Sequence, residues 1–237
     1  MVKKLLIIIS IISILFLVSC TNLDNYVPVE EYNELHSAYV EAKQDRTDLE
    51  NENKSLKSDI DNLETEVERY QNLIANLNDL LGSVYYGYAE NNNWILDGFT
   101  AFSLKYNDKF YIITAGHCVE NLDTGRMTNF KFKANFDDSW VYPKLLIYEN
   151  DFYNNRDYAI LYSDEVISGL DFDLENTFPR YILGNGKNNI FKEHDTYNLI
   201  EGESGSPVID MDGELIGIAT GSFTDTDLVI EAIENLE

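Results

Sequence analysis

The chain has 237 residues, with 42 Asp and Glu against 17 Lys and Arg and a formal charge of −25. A surface this acidic repels phosphate backbones and anionic headgroups, which excludes nucleic acid as a partner and leaves any membrane attachment to something other than charge. The three histidines, His36, His117 and His194, are scattered along the chain without ligand spacing, so no metal and no other cofactor is expected.

Lys3 and Lys4 precede an apolar run from Leu5 to Val18, followed by Ser19 and Cys20. This is the order of a signal peptide: charged region, apolar region, small residue before the cut. The run is shorter than the roughly 20 apolar residues of a bilayer span. Leu17-Val18-Ser19-Cys20 resembles the bacterial lipobox, whose cysteine is lipidated (with palmitate among the acyl chains) and becomes the first mature residue. The resemblance implies a signal peptide over 1–19, a lipidated Cys20 and a linker over 20–30. The mature chain would then be lipid-anchored on the extracytoplasmic side of a cell membrane. An uncleaved apolar anchor is the alternative, and it leaves the chain on the same side.

Residues 31–82 carry a seven-residue repeat. One position reads Leu35, Ala42, Leu49, Leu56, Leu63, Tyr70, Leu77, and the other reads Tyr39, Arg46, Asn53, Ile60, Val67, Ile74, Leu81. No proline interrupts it, and the pattern predicts a coiled-coil stalk. Leu at d with Ile or Val at a favours a parallel homodimer, and Asn53 at an a position fixes register. Flanking charges attract at Glu52–Lys57 and repel at Asp45–Glu50 and Asp59–Glu64, so a trimer stays open. Leu73 and Leu80 at g widen the apolar face near the end, as for docking on the domain that follows. Gly82 suits the left-handed residue that ends a helix. About fifty helical residues span about 75 Å.

From Ser83 onward the texture changes to short aromatic and β-branched runs, and 10 Lys and Arg stand against 27 Asp and Glu. The predicted strands are 85–88, 99–106, 110–114, 130–136, 141–148, 158–162, 181–183, 206–209 and 215–220. Asn107-Asp108 and Asp210-Met211-Asp212-Gly213 are turns between consecutive strands. Helical spacing returns over 227–236.

Three strings in this region carry chemistry: Thr114-Ala115-Gly116-His117-Cys118, Asp157-Tyr158-Ala159-Ile160-Leu161 and Gly202-Glu203-Ser204-Gly205-Ser206-Pro207. A serine hydroxyl becomes a useful nucleophile when an imidazole accepts its proton and a buried carboxylate orients that imidazole. Glycines on both sides of Ser204 allow a tight turn whose amides can face a developing oxyanion. Asp157 heads an apolar run, as at the edge of a buried strand.

These strings resemble the trypsin-like serine peptidases, whose motifs run in the order T-A-x-H-C, D-[IL]-A-[LI]-[LV] and G-[DN]-S-G-[GS]-P. The match covers roughly the C-terminal two-thirds of the chain. It implies a mainly β domain over 83–237, built as two small antiparallel β-barrels with the site in their cleft. It also implies His117 as general base, Asp157 as its orienter, Ser204 as nucleophile, and the amides of Gly202 and Ser204 as oxyanion hole. A protein or peptide is the implied substrate, contacted by Asn198 and by Thr220, Gly221 and Ser222 as an added strand.

Some features depart from the family. Many relatives bridge the cysteine after the catalytic histidine to an earlier strand, but residues 98–102 hold no cysteine, so Cys118 is expected to pack as a small hydrophobe. Digestive relatives insert a freshly cut N-terminus beside the residue before the serine, normally Asp; here it is Glu203, and a helical stalk precedes the domain. The stretch from Glu165 to Gly202 is short for the early strands of a second barrel. A second reading keeps the fold and drops the chemistry, making the chain a surface-anchored binding or assembly protein.

Overall fold

The computed structural model describes residues 28–236, apart from 93, 122–124, 175–177, 186–190, 194–198 and 222. The expected signal peptide and Cys20 lie outside the described residues. No described helix is long and apolar enough to cross a membrane. The chain divides into two compact units, Met1–Glu64 and Thr65–Glu237.

Helix α1 (Val29–Gly82) begins with Glu30 and Glu31 in its first turn, where carboxylates favour the positive end of the helix dipole. In the first unit its apolar row is uncovered: Leu35, Leu49, Leu56, Ile60 and Leu63 are each more than half exposed. Around that row lie solvated pairs such as Arg46–Glu50, which add only about 0.2–0.5 kcal/mol each to a helix.

The second unit takes up the last turns of α1. Leu73 is 2 % exposed and joins Leu81 in a core with Leu183, Ile209, Leu215 and Ile233. The Tyr70 and Tyr181 hydroxyls bond at 2.8 Å, and Arg69 reaches both Asp212 oxygens at 3.0 and 2.5 Å. Leu80 packs against the same core, so Leu73 and Leu80 dock as their g positions predicted. The d positions Tyr70 and Leu77 face this core too, while Val67 and Ile74 stay more than half exposed. From Tyr70 onward the d positions therefore pack on the β-rich part, while the a positions Val67 and Ile74 do not.

The strands are β1 (Val84–Glu90), β2 (Ile95–Tyr106), β3 (Lys109–Thr114), β4 (Glu120–Asn121), β5 (Gly125–Arg126), β6 (Asn129–Ala134), β7 (Trp140–Val141), β8 (Lys144–Asp151) and β9 (Arg156–Tyr162). After them come β10 (Tyr181–Leu183), β11 (Phe191–Glu193), β12 (Ser206–Ile209), β13 (Leu215–Ala219), β14 (Phe223–Asp225) and helix α2 (Thr226–Glu234). One antiparallel sheet has the order β7-β6-β1-β2-β3-β9-β8, a second β11-β10-β12-β13-β14, and β4 pairs with β5. These two larger sheets stand where two barrels were expected. Neither closes on itself by strand pairing among the described residues, and the second is the smaller, as the short stretch before Gly202 foreshadowed.

Both faces of the central strands are buried. On β2, Phe99 and Ala101 enter one core with Ile112, Cys118, Phe132 and Leu161, while Phe102 and Leu104 enter the other with Ile113, Tyr158 and Ile160. Such strands read as continuous apolar runs, which is why they were visible in the sequence. The run predicted over 141–148 is broken into β7 and β8 at Pro143, which has no N–H to give a ladder.

Neighbouring residues on α1 separate docking from pairing. Leu73→Ala should cost about 2–5 kcal/mol in urea unfolding of the full chain, the range for a large buried aliphatic. Ile74→Ala, next to it and exposed, should stay within about 0.5 kcal/mol.

Candidate active site

The site is assembled from segments far apart in the chain. Asp157, on β9, is 1 % exposed. Its Oδ1 accepts the backbone N–H of His117 at 2.8 Å, and its Oδ2 lies 2.6 Å from His117 Nδ1. Both oxygens thus serve one residue, and the imidazole is fixed in ring orientation and in backbone position. His117 sits in a short 3₁₀ turn, Gly116–Cys118, directly after β3. Gly116 is required there: a Cβ would lie 1.8 Å from the Glu149 carbonyl oxygen and 3.0 Å from Asp157 Oδ1. Behind the carboxylate, the Thr224 hydroxyl on β14 bonds the Asp157 backbone at 3.4 Å.

The Ser204 turn packs against β2 and the end of β3. Thr100 Oγ1 donates to the Gly202 carbonyl at 2.7 Å, and Thr100 N–H donates to the Ser204 carbonyl at 3.0 Å. The Thr114 hydroxyl donates to the Thr100 carbonyl at 2.7 Å, and buried Asn185 donates to Thr100 Oγ1 at 2.9 Å. Gly205 has φ +86°, and a Cβ on it would lie 2.1 Å from the Thr100 carbonyl oxygen. Gly202, at φ +94°, also occupies the left-handed region. Among the described residues the Gly202 and Ser204 amides donate to no backbone carbonyl, whereas those of Glu203, Gly205 and Ser206 do.

His117 and Ser204 share a cleft of about 300 Å³, walled by Trp94, Leu96, Phe99, Met127 and Gly202. No direct hydrogen bond joins Ser204 Oγ to the imidazole among the described residues. Two concavities are larger, about 560 Å³ beside Trp140 and about 640 Å³ beside Asn76, and neither holds His117 or Ser204. Reactive groups, not size, single out the smaller cleft. Burial pulls the His117 imidazole down; the Asp157 carboxylate and neighbouring Cys118 outweigh this and hold it above the ordinary histidine value.

The remaining expected residues fare differently. Cys118 is free and buried in the first core, as expected of a small hydrophobe. Thr220 is 3 % exposed, and Thr220 and Gly221 lie in the connection closed by the Ala219↔Phe223 pair of β13 and β14. Asn198 and Ser222 lie outside the described residues. Thr100, Asn185 and Thr224 support the site without having been singled out in the sequence; a lone Thr or Asn carries no local signal of a partner up to 102 residues away.

The arrangement of sheets recurs in solved structures. The chain is similar to the active form of the Rv3671c protease from M. tuberculosis, with a TM-score of 0.51 and 17% identity, covering 68% of this chain and 83% of that one. It is also similar to a serine endoprotease from Yersinia pestis, with a TM-score of 0.50 and 17% identity, covering 70% of this chain and 66% of that one. At this identity the likeness establishes a shared fold, in line with the chymotrypsin-like architecture implied by the motifs. No protein-family model matches the chain, and no curated protein sequence matches it.

The His117–Asp157 pair has a direct spectroscopic consequence. By NMR the His117 imidazole should titrate above the ordinary value of about 6.5, and Asp157→Asn should lower its midpoint. Since the folded value is the raised one, the pair's contribution to stability is full below the unfolded value and is lost as pH rises through the folded one. Gly116→Ala should disrupt both the imidazole's placement and the fold around it, seen as loss of that resolved titration.

Proposed function

We propose that the protein is a membrane-anchored, extracytoplasmic serine endopeptidase that cleaves peptide bonds through Ser204, His117 and Asp157. The observation that carries this reading is the 2.6 Å contact of a buried carboxylate with an imidazole that shares its cleft with the serine of a glycine-flanked turn. The names of the two fold relatives, a protease and a serine endoprotease, point the same way.

In this mechanism His117 Nε2 takes the proton from Ser204 Oγ as that oxygen attacks the scissile carbonyl carbon. The carbonyl oxygen becomes an oxyanion and accepts hydrogen bonds from the Gly202 and Ser204 amides. Asp157, bonded to Nδ1, stabilises the imidazolium. The C–N bond breaks as His117 returns the proton to the leaving amine, giving an acyl ester on Ser204. Water, deprotonated by His117, then releases the acid and regenerates the serine. The base must be neutral, so the rate should rise with pH through the raised His117 midpoint. Substrate is held in the cleft bounded by Trp94, Leu96 and Met127. Asn198, Thr220, Gly221 and Ser222 keep their proposed role as substrate contacts.

The anchoring and assembly parts rest on the sequence. The lipobox-like Leu17–Cys20 supports a lipid on Cys20. The uncovered apolar row of α1 supports a parallel coiled-coil homodimer over the heptads up to Glu64, with a trimer as the competing count.

Fluorophosphonate labelling tests the chemistry. The wild-type chain should be labelled and Ser204→Ala should not, while Asp157→Asn should lower kcat on the order of 10⁴-fold. A folded wild-type chain that takes no label would favour the non-catalytic binding protein. Cys20→Ser should move the protein from the membrane to the soluble fraction, where sedimentation equilibrium should count two chains.

A further inference from the structure

The residue before the nucleophile holds a buried charge that the proposed chemistry does not use. Glu203 is 1 % exposed. Its Oε2 accepts Lys192 Nζ at 2.7 Å and the Ile200 N–H at 2.9 Å. Its Oε1 is buried without a partner among the described residues. The same residue closes the turn through its backbone: its N–H donates to the Ile200 carbonyl at 3.1 Å, and its carbonyl accepts the Ser206 N–H at 3.0 Å. The bonds that fix 200–206 from within therefore converge on Glu203, and the two amides that donate to no backbone carbonyl among the described residues belong to its neighbours on either side.

A carboxylate this deeply buried is tolerated only with a counter-charge, and removing one partner leaves the other stranded. Lys192, on β11, supplies the charge. Its strand is itself held: Phe191 stacks on Tyr181 at 4.9 Å between ring centroids, and Tyr181 bonds Tyr70 of α1. Lys192 reaches Glu203 from β11 of the second sheet, so the ion pair ties the nucleophile turn to that sheet.

Building on the peptidase reading, we infer that Lys192 is a positioning residue whose ammonium, by neutralising Glu203, holds the Gly202 and Ser204 amides in the orientation that receives the oxyanion. The competence of the site is then set by an ion pair internal to the chain. In this role Lys192 acts through Glu203.

The test uses the full-length chain with Lys192→Met, Lys192→Arg and the double variant Lys192→Met with Glu203→Gln. It reads steady-state kinetics alongside hydrogen exchange of the 199–206 segment. Lys192→Met should lower kcat about 10²-fold with KM little changed, the size of effect for a misplaced oxyanion donor. Exchange of 199–206 should quicken while β2, β3 and β9 keep their protection. Lys192→Arg should retain most of the activity, and adding Glu203→Gln to Lys192→Met should restore part of the protection by removing the stranded charge. Lys192→Met with wild-type kcat and wild-type protection would overturn the inference. So would a raised KM at unchanged kcat, which would make Lys192 a substrate contact. If the wild-type chain shows no turnover yet Lys192→Met still opens 199–206, the peptidase reading fails and the lock on the turn stands.

Discussion

A carboxylate at Asp157, cut off from water and sharing both oxygens with His117, is the constraint around which the molecule is arranged. Burying a charge is costly unless its hydrogen bonds are made, and here the imidazole and its own backbone amide make them. Several otherwise unrelated features serve that pair. Gly116 lets the Glu149 carbonyl approach where any side chain would collide. Thr224 closes the far side of the Asp157 backbone from the second sheet. The bidentate Arg156–Glu149 pair, at 2.5 and 3.0 Å, with the Tyr158 hydroxyl on the same carboxylate, locks β8 to β9 beside it.

Thr100 does for the serine what Gly116 does for the histidine. One residue of β2 grips the Gly202 and Ser204 carbonyls while receiving the Thr114 hydroxyl and the Asn185 amide. The first sheet thus fixes the nucleophile turn of the second, and Thr114 begins the very string that carries His117. The Glu203–Lys192 pair joins the same turn to the second sheet. Under the peptidase proposal these two supports aim the amides of Gly202 and Ser204 before any substrate arrives, and such preorganisation is what makes amide donors effective in acyl transfer.

The candidate residues of the site were legible in the sequence because acyl-transfer chemistry demands particular residue types next to glycine or at the head of an apolar strand, and the structure brings His117 against Asp157 and into one cleft with Ser204. His117, Asp157 and Ser204 were visible for that reason. The long strands were visible because both faces of β2, β3 and β9 are buried. The docking of α1 was visible in Leu73 and Leu80, which fall outside the a/d seam. What could not be read depends on contacts distant in the chain. β4, β5, β11 and β14 are two or three residues long and show no alternation. Thr100, Asn185 and Lys192 look like ordinary polar residues until the fold places them.

The central claim is that three side chains and two amides form a single acyl-transfer site. A crystal structure of the chain after reaction with a fluorophosphonate tests it most directly. The account predicts phosphorus bonded to Ser204 Oγ, with one phosphonyl oxygen within hydrogen-bond distance of both the Gly202 and Ser204 N–H groups and with His117 beside the adduct. Phosphorus on any other residue, or an oxygen on Ser204's adduct turned to solvent away from those amides, would contradict it.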